Sequence, residues 1–413
     1  METDCTRDEL PANGSVIAPL PTGTRLLHIG PHKTGTTAIQ GALFEARDEP
    51  ARHGVAWPAT TRHPMEAVLA ACARTGMMGD TPPAERHWER LLEQVRATGR
   101  RTSVISSEFF ADAPCAEAIE RIVEQLGGER VHVLVTLRPL ARIMPSQWQQ
   151  YVQNGLRMGY EDWLRHLLRK PPYDKPSPSF WHRHRHDRLV ERWARVVGPE
   201  RVTVVVVDDR DREGLMRAFE ALLGLPAHLL RPDPDAANRS LTLAETEMLR
   251  NLNKEFRANE LPEELYSQLV RNGAVMHMKN TCTPGPGDVK IRTPQWAVEA
   301  AAGIGAEIAE RIGGSGVRVI GDMRLLSAVQ VSATQKSAPP TVADRASPPR
   351  SRHRRSTGPS PRRPPRPYGT PRPPSRVRFT RPRRRNSCGY SATVASSGYG
   401  FAERLCRYSQ QIP

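Results

Sequence analysis

The chain has 413 residues and a formal net charge of +16, from 60 Lys and Arg against 44 Asp and Glu. Its hydrophobic share is 38 % and proline is frequent, which fits a folded body diluted by a segment that buries no core. Residues 333–413 hold 18 basic and two acidic groups, leaving 42 of each sign in residues 1–332. The body is therefore formally neutral, and the high pI excludes nothing and proves nothing about the fold.

Residues 1–22, closing on "PLPTG", read as a flexible N-terminal extension. From Thr24 short β-branched runs alternate with longer helical stretches, the signature of a parallel sheet covered by helices. Strands are expected at Arg25–Ile29, Thr102–Ser106, Arg130–Thr136 and Arg201–Val207, with a weaker fifth at Val317–Ile320. The later strong runs lack in/out alternation, as strands buried on both faces do. Helices are expected at Thr36–His53, Ala84–Thr98, Cys115–Leu126, Trp181–Val197 and Arg212–Leu223. Thr242 and Glu245 form a capping-box pattern before a helix to Phe256, and Pro294 suits the start of another reaching Ile312. Residues 23–235 thus read as an α/β core and 236–332 as a mostly helical C-terminal part of the same domain.

Beyond residue 332 Arg, Pro and Ser dominate and periodicity vanishes, so residues 333–413 are expected to be disordered. The tail is either a basic arm for nucleic acid or an anionic surface, or a solvated segment without a partner. Its composition also matches GC-rich coding sequence in a shifted frame. Six cysteines, Cys5, Cys72, Cys115, Cys282, Cys388 and Cys406, are scattered without a CxxC pair, which fits a reducing compartment. The polar N-terminus is unlike a signal peptide and no apolar run is long enough to span a bilayer. A cytoplasmic location is expected.

The informative stretch is "HIGPHKTGTTAIQ", His28–Gln40. A strand, a glycine-containing turn and a helix start make a phosphate cradle. Gly30 and Gly35 have Walker A separation, but Thr36 and Thr37 follow where Walker A has lysine. The lysine is Lys33, inside the loop, so it approaches near the bridging oxygen just outside a single held phosphate. No downstream strand is read as an apolar run ending in Asp that makes a convincing magnesium-holding Walker B; Glu108 is the nearest candidate. A phosphosulfate suits such a loop better than a triphosphate.

The motif "GPHKTGTT" resembles the 5′-phosphosulfate loop of sulfotransferases that use 3′-phosphoadenosine 5′-phosphosulfate, over about residues 24–210. The resemblance implies a P-loop-like, mostly parallel α/β sheet flanked by helices. It also implies that Lys33, Thr34, Gly35, Thr36 and Thr37 hold the 5′ end of the donor. In that family an Arg ending a later strand, followed eight positions on by Ser, holds the 3′-phosphate; Arg138 and Ser146 have that spacing here. Pro139 and Pro145 depart from the pattern and put the orientation of Ser146 in doubt.

Sulfuryl transfer needs a base for the acceptor's proton and positive charge on the leaving oxygen. Lys33 fits the second role. Glu108, at the C-terminal end of a strand and before Phe109 and Phe110, is the expected base; its alternative is a plain capping or surface carboxylate. His32, in the cradle loop, is the other catalytic candidate, weighed against a structural loop histidine. The run "FWHRHRHDR" brings only His182 and His186 to one helical face, so no metal is expected; an acceptor-facing or solvated basic helix is the expected reading. The expected acceptor is a hydroxyl or amine of a carbohydrate or small metabolite. The rival readings are a P-loop kinase or NTPase with a displaced lysine, and a nucleotide-binding scaffold whose tail binds nucleic acid.

Overall fold

The structure is a computed structural model that describes residues 17–75, 82–169, 179–232 and 239–329. The expected disordered tail and most of the expected N-terminal extension lie outside the described residues. The strands are β1 (Arg25–His28), β2 (Val55–Ala56), β3 (Thr102–Ser106), β4 (Val131–Leu137), β5 (Val202–Val206) and β6 (Arg318–Ile320). They form one six-stranded sheet in the order β2-β3-β1-β4-β5-β6, parallel throughout.

The helices are α1 (Thr36–Glu45), α2 (Asp48–Arg52), α3 (Met65–Ala71), α4 (Arg86–Ala97), α5 (Ala116–Leu126), α6 (Leu140–Gln153), α7 (Tyr160–Leu168), α8 (Ser179–His184), α9 (His186–Val197), α10 (Gly214–Leu223), α11 (Leu243–Ala258), α12 (Glu263–Leu265), α13 (Met276–Thr281) and α14 (Gln295–Gly313). A π-helical run, Tyr266–Val275, joins α12 to α13.

Both faces of the sheet are covered, which is why the strands are apolar without alternation. Leu27, Ile105, Val133, Val135 and Val204 point to one face, where α3, α4, α5, α6, α9 and α14 supply Val68, Trp88, Ile122, Trp148, Trp193 and Ala301. Leu26, Val104, Leu134 and Val205 point to the other, against Ile39 and Leu43 of α1 and Leu215, Phe219 and Leu222 of α10. The capping box of α11 forms as the sequence implies: the Glu245 N–H donates to Thr242 Oγ1 and the Thr242 N–H to Glu245 Oε2. At Gly305 of α14 a Cβ would lie 2.0 Å from the Leu326 carbonyl oxygen, so only glycine lets the chain before residue 329 pack there.

Three elements differ from expectation. The helix expected to run from Thr36 to His53 breaks into α1 and α2, and β2 follows unannounced. Two residues of pairing, Val55 with Thr102 and Ala56 with Ser103, are too short for a periodic signal. The helix expected at Trp181–Val197 breaks at Arg185, so His182 and His186 stand on separate helices, α8 and α9. Pro145 is tolerated inside α6, which runs continuously from Leu140. Among the described residues no helix is long and apolar enough to cross a membrane.

Candidate functional site

β1 lies between β3 and β4, so the loop leaving its C-terminal end opens where two parallel neighbours also end. His28, the last residue of β1, is fully buried and ties the three strands: Nδ1 meets Ser106 Oγ at 2.8 Å and Nε2 meets Thr136 Oγ1 at 3.2 Å. Burial pushes its pKa down to about 4, so the ring is a neutral strut under the loop. Thr136 also donates through Oγ1 (3.1 Å) and through its backbone N–H (2.8 Å) to Gly30 O. Thr34 Oγ1 donates to Pro31 O at 2.6 Å and contacts Thr136 Oγ1 at 2.7 Å. The loop is therefore stitched to β4 before any ligand arrives.

Three of its six residues, Gly30 (φ 78°), Lys33 (φ 67°) and Gly35 (φ 101°), are left-handed. A Cβ on Gly30 would come within 2.9 Å of Glu108 Cβ, and one on Gly35 within 2.7 Å of Leu215 Cδ2. Gly30 thus admits Glu108 to the cradle, and Gly35 lets α1 start against α10. Lys33 accepts a conformation that costs an L-residue on the order of 1 kcal/mol. Gly35 caps α1 without a side-chain bond, and the buried Thr36 Oγ1 has no hydrogen-bond partner. An orphaned hydroxyl beside free helix N–H groups fits a phosphate oxygen.

Lys33 Nζ donates to Gln150 Oε1 on α6 at 3.3 Å. Burial pushes its pKa down to about 8, helped by the nearby charges of Lys279 and Arg183 and opposed by Glu108. Arg138 leaves the end of β4 and reaches back toward the loop with a long Nη1–Lys33 O contact of 3.5 Å. Its Nη2 pairs with Asp209 Oδ1 at 2.7 Å, and Arg142 Nε reaches the other oxygen of the same carboxylate at 3.4 Å. Ser146 is on α6 but turns back on its own helix, donating to Ile143 O at 2.9 Å. The fold therefore brings Arg138 toward the loop, while the Ser146 hydroxyl is bonded within its own helix.

Asp209 corrects the sequence analysis. The run Val202–Val207 does end in aspartates, Asp208 and Asp209, where no Walker B strand was assigned. The strand β5 is separated from β1 by β4, and Asp209 is engaged by two arginines while Asp208 holds Arg210.

Glu108 opens a 3₁₀ turn, Glu108–Asp112, whose N-cap Ser107 accepts from the Phe109 N–H. Its carboxylate is 18 % exposed, with Gln40 Nε2 at 3.4 Å and His63 Nε2 at 3.6 Å from Oε2. Burial alone would raise its pKa, but His63, His32, a backbone N–H and Lys33 together hold it below the ordinary glutamate value. It stands ionised. His63 stacks on Phe109 at 5.7 Å and meets Ser107 Oγ at 2.9 Å. His32 meets the edge of the same ring at 5.1 Å, and its Nε2 is 3.7 Å from Asp112 Oδ2, beyond hydrogen-bond reach. Burial, then Arg183, lowers its pKa.

Behind this wall, Asp112 (3 % exposed) takes a two-pronged fork from Arg183 of α8, Nε at 2.6 Å and Nη2 at 2.7 Å. Burial alone would raise the pKa of Asp112, but Arg183 and His32 together hold it well below the usual carboxylate range. The basic run carrying Arg183 is not a solvated face: His184 and His186 are 0 % and 1 % exposed. Sequence reasoning missed His63, Asp112, Arg183, Gln150 and Asp209. The local signals were the spacing of Asp112 four residues after Glu108 and the place of Asp209 at the end of a strand run.

The buried histidines set an acid limit. His28 and His186 have folded pKa values of about 4 against 6.5 for an open chain, from burial above all. Between those values the unfolded chain binds protons that the fold refuses, so their stabilisation is complete above pH 6.5 and lost toward pH 4. Each group costs roughly 3 kcal/mol by the bottom of that window, falling at about 1.4 kcal/mol per pH unit. Urea unfolding of the full chain at pH 7 and pH 5 is expected to show that slope, shallower in His28→Asn. Equal stability at both pH values would mean the rings take protons inside the fold.

Comparison with known proteins gives little more. No protein-family model matches the chain, and no curated protein matches it. Among solved structures, a sulfotransferase from Alicyclobacillus acidocaldarius is similar to 60 % of this chain and 95 % of its own, at 20 % identity and a TM-score of 0.36. At that score the likeness bears on neither activity nor ligand.

Proposed function

We propose that the chain is a sulfotransferase that moves a sulfuryl group from 3′-phosphoadenosine 5′-phosphosulfate to a hydroxyl or amine of a carbohydrate or small metabolite. The observation that carries the proposal is the pairing, across one Gly30-permitted approach, of an ionised Glu108 with desolvated Lys33 of the cradle loop. An ionised carboxylate is a base for an acceptor proton, and it would repel a triphosphate held in the same place.

The donor, when bound, supplies an activated sulfuryl group on a phosphate leaving group. Thr34, Gly35, Thr36 and Thr37, with the helix N–H groups, hold the 5′-phosphate end. Lys33, still mostly charged at pH 7 with a pKa of about 8, sets its ammonium beside the bridging oxygen. Arg138 and Ser146 take the 3′-phosphate, Arg138 by turning its fork from Asp209. Glu108 accepts the acceptor's proton; His32, neutral and set against Asp112, is the alternative acceptor of that proton. The chemistry is that of a cytoplasmic small-molecule enzyme.

Thermal unfolding of the full chain tests this. With 3′,5′-adenosine bisphosphate at about a hundred times its dissociation constant, stability rises by roughly 2.7 kcal/mol, a shift of several degrees. ATP with magnesium and 5′-AMP are expected to shift it far less, and Arg138→Ala to erase the preference for the bisphosphate over 5′-AMP. An equal shift with ATP and magnesium would transfer the proposal to a kinase.

A further inference from the structure

Two ammonium groups face the cradle, and only one of them is used above. Lys279, on α13, donates through Nζ to Gln153 Oε1 at 3.2 Å. Lys33 donates to Gln150 Oε1 at 3.3 Å. Gln150 and Gln153 are one turn apart on α6, and residues so spaced have Cβ atoms about 5–6 Å apart. The two carboxamides thus hold two ammonium groups on one stretch of α6, near enough that the Lys279 charge acts on Lys33. Gln153 is itself buried, 6 % exposed, which fixes one of the two props.

Among the described residues no carboxylate contacts the pair, and the one that acts on Lys33 from a distance, Glu108, does not outweigh burial and Lys279. Each lysine meets a neutral amide oxygen and neither meets a carboxylate. Burial lowers the pKa of both, Lys279 is the strongest charge acting on Lys33, and Arg239 adds to the repulsion at Lys279. The guanidinium of Arg239 is anchored on Glu245 at 2.7 and 2.8 Å, so it does not answer the lysines. Like charges gathered out of water are costly unless an anion completes the site.

The element that delivers Lys279 is also unusual. α13 buries no side chain of its own and is held by Arg239 donating to Met278 O and by the Lys279–Gln153 bond. It continues directly from the ten-residue π-helical run Tyr266–Val275, which sets the direction in which position 279 points. Such runs are rare, and they are found mostly at functional positions.

We infer that Lys33 and Lys279 form a two-ammonium clamp for one tetrahedral oxyanion, supplied either by the sulfuryl group of the donor or by an anionic substituent on the acceptor. The inference rests on the sulfotransferase reading for the identity of the oxyanion, but not for its existence. A tetrahedral oxyanion presents several oxygens and can accept from two ammonium groups at once.

Isothermal titration of the full chain separates the cases, using Lys279→Met, which keeps the stem and removes the charge, and Lys279→Arg, which keeps the charge. If the sulfuryl group is clamped, 3′-phosphoadenosine 5′-phosphosulfate binds Lys279→Met at least tenfold more weakly than wild type, 3′,5′-adenosine bisphosphate binds within twofold, and Lys279→Arg recovers most of the loss. If an acceptor anion is clamped, both nucleotides bind Lys279→Met normally, while inorganic sulfate added to the bisphosphate-loaded protein binds wild type and Lys279→Arg only. Should wild type bind neither nucleotide, the sulfotransferase reading falls. Inorganic sulfate alone, bound by wild type and not by Lys279→Met, would still uphold the clamp. Unchanged binding of all three ligands to Lys279→Met overturns it, as does an equal loss of all three that Lys279→Arg fails to recover. If Lys279→Met does not fold by circular dichroism, Lys279→Gln replaces it.

Discussion

Glu108→Gln is expected to slow sulfuryl transfer by about 10²–10⁴-fold while leaving nucleotide affinity within about twofold. The substitution keeps the size of the side chain and its contacts with Gln40 and His63 but removes the lone-pair basicity. The wild-type rate should fall on the acid side only below the ordinary glutamate range, because Glu108 is held ionised by His63, His32 and Lys33 against its burial. On the alkaline side the rate should fall near pH 8, where buried Lys33 loses its proton. The readout is release of 3′,5′-adenosine bisphosphate from the donor, with whichever screened hydroxyl or amine supports turnover. In Glu108→Gln the acid limb should disappear and the alkaline limb remain. A Glu108→Gln enzyme with the wild-type rate would move the base to His32, and His32→Gln would then carry the loss.

The second large effect is on stability. Asp112→Ala leaves the Arg183 guanidinium buried without its fork, among His184, Tyr151 and the back of the Phe109 wall. Breaking one side of a buried ion pair costs about 3–5 kcal/mol, which for a domain of this size lowers the melting midpoint by on the order of 10 °C. The double change Asp112→Ala with Arg183→Met removes both charges and should recover most of that loss, since the pair as a whole contributes little beyond its own desolvation. Thermal unfolding of the three proteins decides it. A loss under about 1 kcal/mol in Asp112→Ala would mean that water reaches Arg183 from behind the site.

The α/β fold was legible because its signals are local or continuous. β3, β4 and β5 are rich in β-branched residues and lack in/out alternation because helices cover both sheet faces. The cradle was legible for the same reason: Gly30, Lys33 and Gly35 are neighbours, and their left-handed backbone is a property of six residues. What escaped is assembled across the chain. His63 meets Glu108, Arg183 meets Asp112, and Lys279 meets Gln153 from positions that share no periodicity. The histidine run misled in a different way. Its alternation with arginine resembles a solvated face, yet a break at Arg185 redirects the chain and buries His184 and His186. Asp209 was visible at the end of "VTVVVVDD" and needed only the strand order to be placed: two strands from β1, it holds Arg138 rather than lying beside the cradle.

The strand order also governs how the protein is made. Arg25 of β1 pairs with Ser103 on one side and Val131 on the other, and Thr203 of β5 waits for Arg318. No parallel pair can form as a local hairpin, so every strand closes a long loop before it gains a neighbour. During synthesis the phosphate loop is among the first segments to emerge, yet the strut His28 has no Ser106 to grip until β3 has followed and no Thr136 until β4 has. A nascent chain halted before residue 102 therefore displays the whole motif and has neither of the strands that hold the cradle.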